Sequence, residues 1–339
     1  MRCLNGDIME YLKQMLKELC EAHGLNGVFG ALDVAESYLS KYANVRREGN
    51  NLIGEIKGKS DYTVMLDAHI DEIGMVVTAV NNGFLKISNV GGIDRRMLAG
   101  MKVVIHGKEQ VRGVFCSTPP HLDKNDNVKD IEDMYIDTGL KDKASELISV
   151  GDRVTFEQSF ETLLGTKVTA KSLDNRAGCA SLIRCAELLS GKDLPCNVTI
   201  LLSDAEEIGG TGAKTKTFQN FPDEAVVVDV SFGNAPDIES EKTGTLGDGA
   251  MLGISPLLSK SVTDDLKKAA ESKQIKFQFE VMGGKTGTNA DHVALTRSGV
   301  KTGLLSIPLR NMHTPVEVVD IADIESVANI LAEYIMAKY

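Results

Sequence analysis

The strongest constraint on the fold is a set of four short apolar runs that alternate with helical sequence. The runs cover residues 62–68, 197–204, 224–230 and 301–308, and their centres are apolar at nearly every position. Strands that are apolar on both faces belong in the interior of a parallel or mixed sheet. Apolar residues at helical spacing predict helices over residues 8–22, 31–42, 175–189, 261–272 and 319–338. The alternation therefore predicts an α/β fold, an open mixed sheet with helices on both faces.

The sequence pattern changes between Ile73 and about Glu157. Short β-like runs follow one another there, separated by Gly, Asn and Pro turns, with little helical periodicity. This pattern predicts a small β-rich domain over residues 71–166, inserted into the chain. Residues 1–70 and 167–339 would then form the α/β domain together.

Composition narrows the classes of partner. The formal net charge is −11, and an acidic surface repels phosphate backbones, so we expect no nucleic-acid partner. No run of about 18 apolar residues occurs, which argues against a membrane-spanning helix. The six cysteines include no CxxC pair, a usage typical of reduced thiols. Together these features predict a cytoplasmic protein without a membrane partner.

Several polar residues stand directly after or within the apolar runs, or at the start of the helix over residues 175–189. Ligands of an open α/β sheet bind at the carboxyl ends of its strands, so these residues are candidates for a shared site. Taken singly, most have an ordinary explanation, such as a helix cap or a solvated acidic turn. The candidates are His69, Asp71, Asp174, Glu206, Glu207, Asp229 and His313.

Asp229 is the hardest of these residues to explain without a ligand. It lies inside the run VVVDV, and a buried carboxylate needs a partner, for which a cation is the simplest choice. Imidazole and carboxylate ligands suit zinc, cobalt or manganese. A centre of two metals sharing one Asp needs that Asp, two further carboxylates and two histidines, and a free carboxylate can then act as general base. The set contains each of these groups.

Five motifs carry a resemblance to a known family. They are AHIDEIG at 68–74, SLDNRAG at 172–178, DAEEIGGTGA at 204–213, VVVDV at 226–230 and RNMHTPVEV at 310–318. In order and spacing, the chain resembles the co-catalytic metal-dependent aminopeptidases of the glutamyl-aminopeptidase and tetrahedral-aminopeptidase type. The resemblance extends over essentially the whole chain and includes GGID at 91–94. It implies a zinc-peptidase-like α/β sandwich with an inserted domain.

The resemblance also implies a cofactor, two divalent metal ions per subunit. Zinc or cobalt is expected, with manganese as a further candidate. His69 and Asp229 would bind one ion, Glu207 and His313 the other, and Asp174 would bridge both.

The implied activity is release of N-terminal residues from short peptides. The reaction would use a metal-bridging hydroxide, with Glu206 as the general base and Asp71 supporting His69. The resemblance further implies a cis peptide bond between Asp174 and Asn175.

Expectations about the substrate pocket and the assembly follow from the same resemblance. The loop with Gly287 and Thr288 would line the substrate pocket, and Arg310 is expected to bind substrate as well. Residues 71–166 would serve as a dimerisation and lid domain, with dimers assembling into a homo-oligomer of twelve subunits. Two alternatives stay open: a deacylase that uses the same di-metal site, and an endoglucanase-type glycosidase. Historical family names suggest the glycosidase, although the chain has no Trp to stack on a sugar.

Overall fold

The computed structural model describes residues 2–119, 121–122 and 128–338, without the side chains of residues 2–5. The helices are α1 (Arg2–Glu21), α2 (Gly30–Leu39), α3 (Ala144–Leu147), α4 (Leu173–Leu189), α5 (Thr211–Asn220), α6 (Lys260–Ser272), α7 (Ala290–Val293) and α8 (Ile321–Met336). The first nine strands are β1 (Asn44–Glu48), β2 (Asn51–Ile56), β3 (Thr63–His69), β4 (Gly74–Asn81), β5 (Phe84–Val90), β6 (Lys102–His106), β7 (Gln110–Phe115), β8 (Ile136–Asp137) and β9 (Arg153–Phe156). The remaining strands are β10 (Glu161–Thr162), β11 (Lys167–Ala170), β12 (Asn197–Ser203), β13 (Glu224–Phe232), β14 (Ala250–Ile254), β15 (Phe277–Val281), β16 (Lys301–Leu309) and β17 (Glu317–Asp320).

An eight-stranded mixed sheet forms the centre of the molecule, in the order β1-β2-β12-β3-β13-β16-β14-β15. The four predicted apolar runs are its central strands β12, β3, β13 and β16, and neighbours among them pair in parallel. β2 and β14 run antiparallel to their central neighbours. The carboxyl ends of the four parallel strands therefore meet at one edge of the sheet.

Helices cover both faces of this sheet, which confirms the predicted architecture. Even-numbered β13 residues, such as Val228, pack in a cluster with α1, α2, α4 and α8. Odd-numbered β13 residues, such as Val227, pack on the other face with Ala213 of α5 and Val293 of α7. Because alternate side chains of a strand point to opposite faces, β13 is apolar throughout its centre. None of the helices in the described residues has the length and apolar character needed to cross a bilayer.

The structure adds the strand β1, which the sequence pattern did not predict, and α1 begins six residues before the predicted helix over residues 8–22. Three further differences from the predicted elements follow. The predicted helix over residues 319–338 begins two residues later, because the chain first forms β17 and pairs with β11. The second difference is α5, whose sequence TGAKTKTFQN has few apolar residues to signal a helix. The third is β14, which the sequence pattern did not predict; it forms because it pairs with β15 and β16 inside the sheet.

Six strands between β3 and β11 close into a barrel, in the order β4-β5-β8-β7-β6-β9. Its strands begin at Gly74 and end at Phe156, inside the segment for which the sequence predicts a β-rich domain. The barrel has an apolar core of its own, separate from the cores of the large sheet. A short sheet of β10, β11 and β17 follows it.

A buried ion cluster joins the ends of α1, β3 and β11. Glu72 is 1% exposed, and its Oε2 accepts a hydrogen bond from Lys171 Nζ at 2.6 Å and another from the Ser172 hydroxyl. Its Oε1 accepts from the Gly24 backbone N–H at 2.7 Å and lies 4.0 Å from Arg176 Nη2. Burial alone raises the pKa of the Glu72 carboxyl, but the charges of Lys171 and Arg176 outweigh it and lower the pKa to about 2.

Replacing Glu72 by Gln is expected to destabilise the protein by about 3–5 kcal/mol at neutral pH, because Lys171 and Arg176 would lose their buried counter-charge. Folding lowers the pKa of the Glu72 carboxyl from its ordinary value of 4.5 to about 2. The ionised carboxylate therefore stabilises the folded state fully above pH 4.5, and this stabilisation is lost as the pH falls towards about 2. The difference between wild type and variant should therefore be constant from pH 7 to 5 and shrink below pH 4.5. Urea unfolding at each pH measures it.

Asp193→Asn is the control, since the ion pair of Asp193 with Lys59 is exposed and should contribute less than about 1 kcal/mol. Equal losses of stability in the two variants would contradict a structural role for the buried cluster.

Candidate metal centre

The candidate residues converge at the edge where the four parallel strands end. His69 is the last residue of β3, and Asp229 lies near the end of β13. Glu206 and Glu207 occupy the turn between β12 and α5, and His313 lies in the loop between β16 and β17. The parallel register brings residues that are far apart in sequence to one edge.

His69, Asp174 and Asp229 form a first cluster, which is buried. One ligand atom of each lies within 4.8 Å of the others. His69 Nε2 is 3.0 Å from Asp174 Oδ1 and 3.7 Å from Asp229 Oδ1. An imidazole nitrogen and two carboxylate oxygens at this spacing can coordinate a divalent ion.

Asp174, Glu207 and His313 form a second cluster that is more open to solvent. His313 Nε2 lies 3.5 Å from Asp174 Oδ2 and 3.5 Å from Glu207 Oε2, and the His313 side chain is 36% exposed. Asp174 thus points one oxygen at each cluster. Glu206 belongs to neither cluster, although it lies in the same turn as Glu207.

Local backbone geometry places Asp174 between the two clusters. Asp174 and Asn175 depart from helical dihedral angles at the start of α4, and the peptide bond between them is cis, as the resemblance implied. The Asn175 amide donates to the Val228 carbonyl of β13 at 2.8 Å. This hydrogen bond ties the bend to the strand that carries Asp229.

Asp71 connects His69 to the acidic turn, which is the turn between β12 and α5 that carries Glu206 and Glu207. Its Oδ1 lies 3.4 Å from His69 Nδ1, the ring nitrogen facing away from the cluster. The same carboxylate accepts the backbone N–H groups of Glu206 at 3.1 Å and Glu207 at 3.3 Å. A carboxylate on the second nitrogen of a ligating histidine orients the ring and sets its tautomer.

Glu317 is a supporting residue that sequence reasoning did not single out. It is 2% exposed, and its carboxylate accepts the backbone N–H of Asp174 at 3.0 Å and that of His313 at 2.9 Å. One side chain therefore holds the backbone of two candidate ligands. The only sequence signal was its position four residues after His313 in RNMHTPVEV.

The electrostatics of the site favour a bound cation. Burial raises the pKa of Asp229, of Glu207 and of the neighbouring Glu206, and Asp174 raises all three further. Burial alone lowers the pKa of His69, but hydrogen bonds to Asp174 and Asp71 outweigh it and raise the pKa well above its ordinary value. These shifts reflect several carboxylates buried close together. The donor set of imidazole and carboxylate fits divalent cations.

The structure brings none of the three predicted substrate-binding residues into either cluster. Arg310 donates to the backbone carbonyl and the side-chain oxygen of Asn234. The Gly287 N–H donates to Asp291 at 3.2 Å, and the Thr288 hydroxyl accepts from the Ala290 N–H at 3.1 Å.

The loop that contains Gly287 and Thr288 nevertheless lies beside the acidic turn. A Cβ built on Gly210 would approach His292 Cδ2 to 2.2 Å and Asn289 Oδ1 to 3.0 Å. The loop therefore borders the candidate site without contacting its ligands.

The barrel contributes a glycine pair to the second cluster. A Cβ at Gly92 would lie 2.8 Å from His313 Nδ1, and a Cβ at Gly91 would lie 3.1 Å from Glu207 Oε2. The Asp94 N–H donates to the His313 carbonyl at 3.3 Å. Only residues without side chains allow the barrel to approach the site this closely.

Gly92→Ala is expected to weaken divalent-ion binding at the second cluster by about 10- to 100-fold, because the new methyl group displaces the His313 ring. The first cluster does not include His313 and should keep its affinity. Zinc titration against a competing chelator, with elemental analysis of the bound metal, measures both. Gly6→Ala on α1 is the control, since its Cβ meets nothing within 4 Å. Unchanged affinity at both clusters would show that the contact has no influence on the site.

Comparisons with known proteins agree with the fold and identify a family. The family model described as M42 glutamyl aminopeptidase matches residues 50–330. A lysyl aminopeptidase of Pyrococcus furiosus is 28% identical, over 92% of this chain and 93% of its own length.

Two solved structures are similar over nearly the whole chain. Aminopeptidase APDkam598 of Desulfurococcus kamchatkensis superposes with a TM-score of 0.90 at 28% identity, covering 98% of this chain and 96% of the other. The TET1 peptidase of Pyrococcus horikoshii, described as able to assemble into a tetrahedron or a large octahedral shell, has a TM-score of 0.86 at 29% identity. That match covers 96% of this chain and 99% of the other.

Proposed function

The chain belongs to the M42 glutamyl aminopeptidase family and is a peptide hydrolase, and from this premise we propose that it releases N-terminal residues from short peptides at a centre of two metal ions. The observation that carries the proposal is the position of Asp174. Its two oxygens face different clusters, with His69 Nε2 at 3.0 Å from one and His313 Nε2 at 3.5 Å from the other. A carboxylate between two such ligand sets is suited to bridge two ions.

Each ion would be held by one histidine and one carboxylate in addition to Asp174. His69 and Asp229 would hold the first ion, and Glu207 and His313 the second. Zinc or cobalt suits these ligands, with manganese as a further candidate. Ions bound there would supply Lewis-acid chemistry, polarising a scissile carbonyl and lowering the pKa of an attacking water molecule.

Glu206 is proposed as the general base. It lies beside Glu207 but outside both clusters, and its backbone N–H donates a hydrogen bond to Asp71 Oδ1 at 3.1 Å. Burial raises the pKa of Glu206 above the ordinary value. A carboxylate beside the attacking water can act as a general base. Glu206 would take a proton from the attacking water and deliver it to the amine that leaves.

Glu206→Gln is expected to lower kcat for aminoacyl-p-nitroanilides by about 10²- to 10⁴-fold while metal content stays at the wild-type level. Glu207→Gln should lose metal from the second cluster as well as activity. The measurement is hydrolysis by metal-stripped protein and by protein reconstituted with zinc or cobalt, together with elemental analysis. Full activity of Glu206→Gln would exclude it as the base.

Substrate choice in the same assay separates the alternatives. An aminopeptidase requires a free N-terminal amine, whereas a deacylase on the same centre would prefer N-acylated amino acids. Carboxymethyl cellulose tests for an endoglucanase. Metal-dependent release only from substrates with a free amine supports the proposal, and release only from N-acylated substrates would favour the deacylase.

The inserted segment 71–166 is proposed as a dimerisation and lid domain. Its Gly91–Gly92 loop lies against two candidate metal ligands, which suits a lid. Several apolar side chains are exposed on the barrel and on the hairpin that follows it, which suits a contact surface. They are Phe84, Val114, Val150, Leu163 and Leu164, of which Leu164 is 95% exposed. The loop with Gly287 and Thr288, together with Arg310, is proposed to border the substrate pocket.

Sedimentation velocity is expected to find a species twelve times the mass of the 36.6 kDa chain. Leu164→Asp places a charge on the proposed contact surface and should shift the protein towards smaller species. A wild-type protein that stays monomeric at micromolar concentration would contradict both the assembly and the dimerisation role of the segment.

A cytoplasmic location is proposed from the cysteines. The five cysteines whose side chains the structure describes are free thiols. Free thiols are typical of proteins in a reducing compartment.

The related proteins differ in the N-terminal residue for which they are named. The family description names a glutamyl aminopeptidase, and the Pyrococcus furiosus relative is named a lysyl aminopeptidase.

A further inference from the structure

The carboxylate of Glu280 lies on the face of the large sheet that carries Asp229. Glu280 belongs to β15, the edge strand, but its Oε2 accepts a hydrogen bond from the Ser306 hydroxyl of β16 at 2.7 Å. Its Oε1 accepts one from the Ser231 hydroxyl of β13. The side chain therefore extends across β14, the strand between β15 and β16.

The strand register places this carboxylate beside the first cluster. Ser306 is paired with Asp229 across the parallel strands β16 and β13, and Ser231 lies two residues after Asp229 on the same face. Neighbouring strands are about 4.8 Å apart, so Ser306 and Asp229 are direct neighbours on that face. The carboxylate of Glu280 thus binds two hydroxyls that flank a candidate metal ligand, one on the same strand and one on the neighbouring strand.

Glu280 has no cationic partner among the described residues. Its neighbours Ser231 and Ser306 are buried neutral hydroxyls that orient the carboxylate without neutralising it. Arg310, which follows β16, binds Asn234 instead. The half-buried Glu280 therefore leaves a negative charge beside the site, which is unfavourable unless a positive group binds there.

We propose that Glu280 selects substrates whose N-terminal residue has a positively charged side chain, lysine or arginine. This inference rests on the proposed aminopeptidase function. The α-amine of a substrate is one bond from the carbon next to the scissile carbonyl and must stay beside the clusters. The two serines that bind Glu280 lie about 7 Å along β13 and about 5 Å across the sheet from Asp229. This separation suits the four-carbon stem of lysine or the longer side chain of arginine.

The test compares kcat/KM for the p-nitroanilides of lysine, arginine, leucine and glutamate in the metal-reconstituted enzyme. Wild type should prefer lysine and arginine, and Glu280→Gln should lose about 10- to 100-fold on these two while leucine changes by less than about threefold, because only the charged side chain loses a charge-assisted hydrogen bond. Gln keeps the shape of Glu and can still bond both serines. Glu271→Gln on α6 is the control, since it removes an exposed carboxylate outside this face.

Binding of lysinamide and norleucinamide by calorimetry gives a readout without turnover when each protein also carries Glu206→Gln, which blocks hydrolysis. The protein with Glu280 should bind lysinamide more tightly, and Glu280→Gln should bind the two equally. Hydrolysis of leucine and lysine substrates with equal losses in Glu280→Gln would overturn the inference and leave the aminopeptidase function standing. If no substrate is hydrolysed, the proposed function fails, and equal binding of the two amides by wild type would then overturn the inference on its own.

Discussion

The candidate centre depends on the carboxylate of Asp174, which lies between the two clusters. One oxygen faces His69, deep in the sheet, and the other faces His313, in a loop that is partly open to solvent. This position requires a backbone that bends in the first turn of α4, and three polar contacts hold the bend. Asn175 binds the Val228 carbonyl, the Gly178 N–H binds the Asn175 side chain, and Glu317 accepts the Asp174 N–H. The geometry of the site is therefore built into the packing of α4 against β13.

The ligands are supported by buried carboxylates that themselves need compensation. Asp71 accepts hydrogen bonds from backbone N–H groups of the acidic turn, and Glu317 accepts them from the backbone N–H groups of Asp174 and His313. Glu72 instead faces Lys171 and Arg176, both nearly inaccessible to solvent. Buried charge is unfavourable unless it is paired or hydrogen-bonded, so each of these carboxylates constrains the elements that surround it. The rigidity needed to hold metal ligands in place follows from these constraints.

The two candidate ligand sets differ in their exposure, and the difference has a structural cause. His69 and Asp229 belong to central strands and are covered by the sheet and its helices. His313 lies in a loop, and part of its cover comes from the Gly91–Gly92 segment of the barrel. A change in the position of the barrel would alter the second cluster more than the first. The loop after β5 is thus in direct contact with two candidate ligands of the second cluster.

The sequence by itself determined the α/β class, the four central strands and the residues that gather at their ends. It could do so because apolar runs and the polar residues that follow them are local patterns, and because parallel strands must end at one edge.

The contributions of Glu317, Gly92 and Glu280 were decided only by the tertiary structure, since each acts through residues distant in the chain. Glu280 reaches Ser231 and Ser306 because β14 and β15 are placed beside β16, and no local pattern predicted β14. Arg310 shows the converse, because a residue inside a recognised motif turned out to bind Asn234, away from both clusters. Local patterns name the candidate ligands, whereas long-range strand order and packing decide what supports them and what surrounds the substrate.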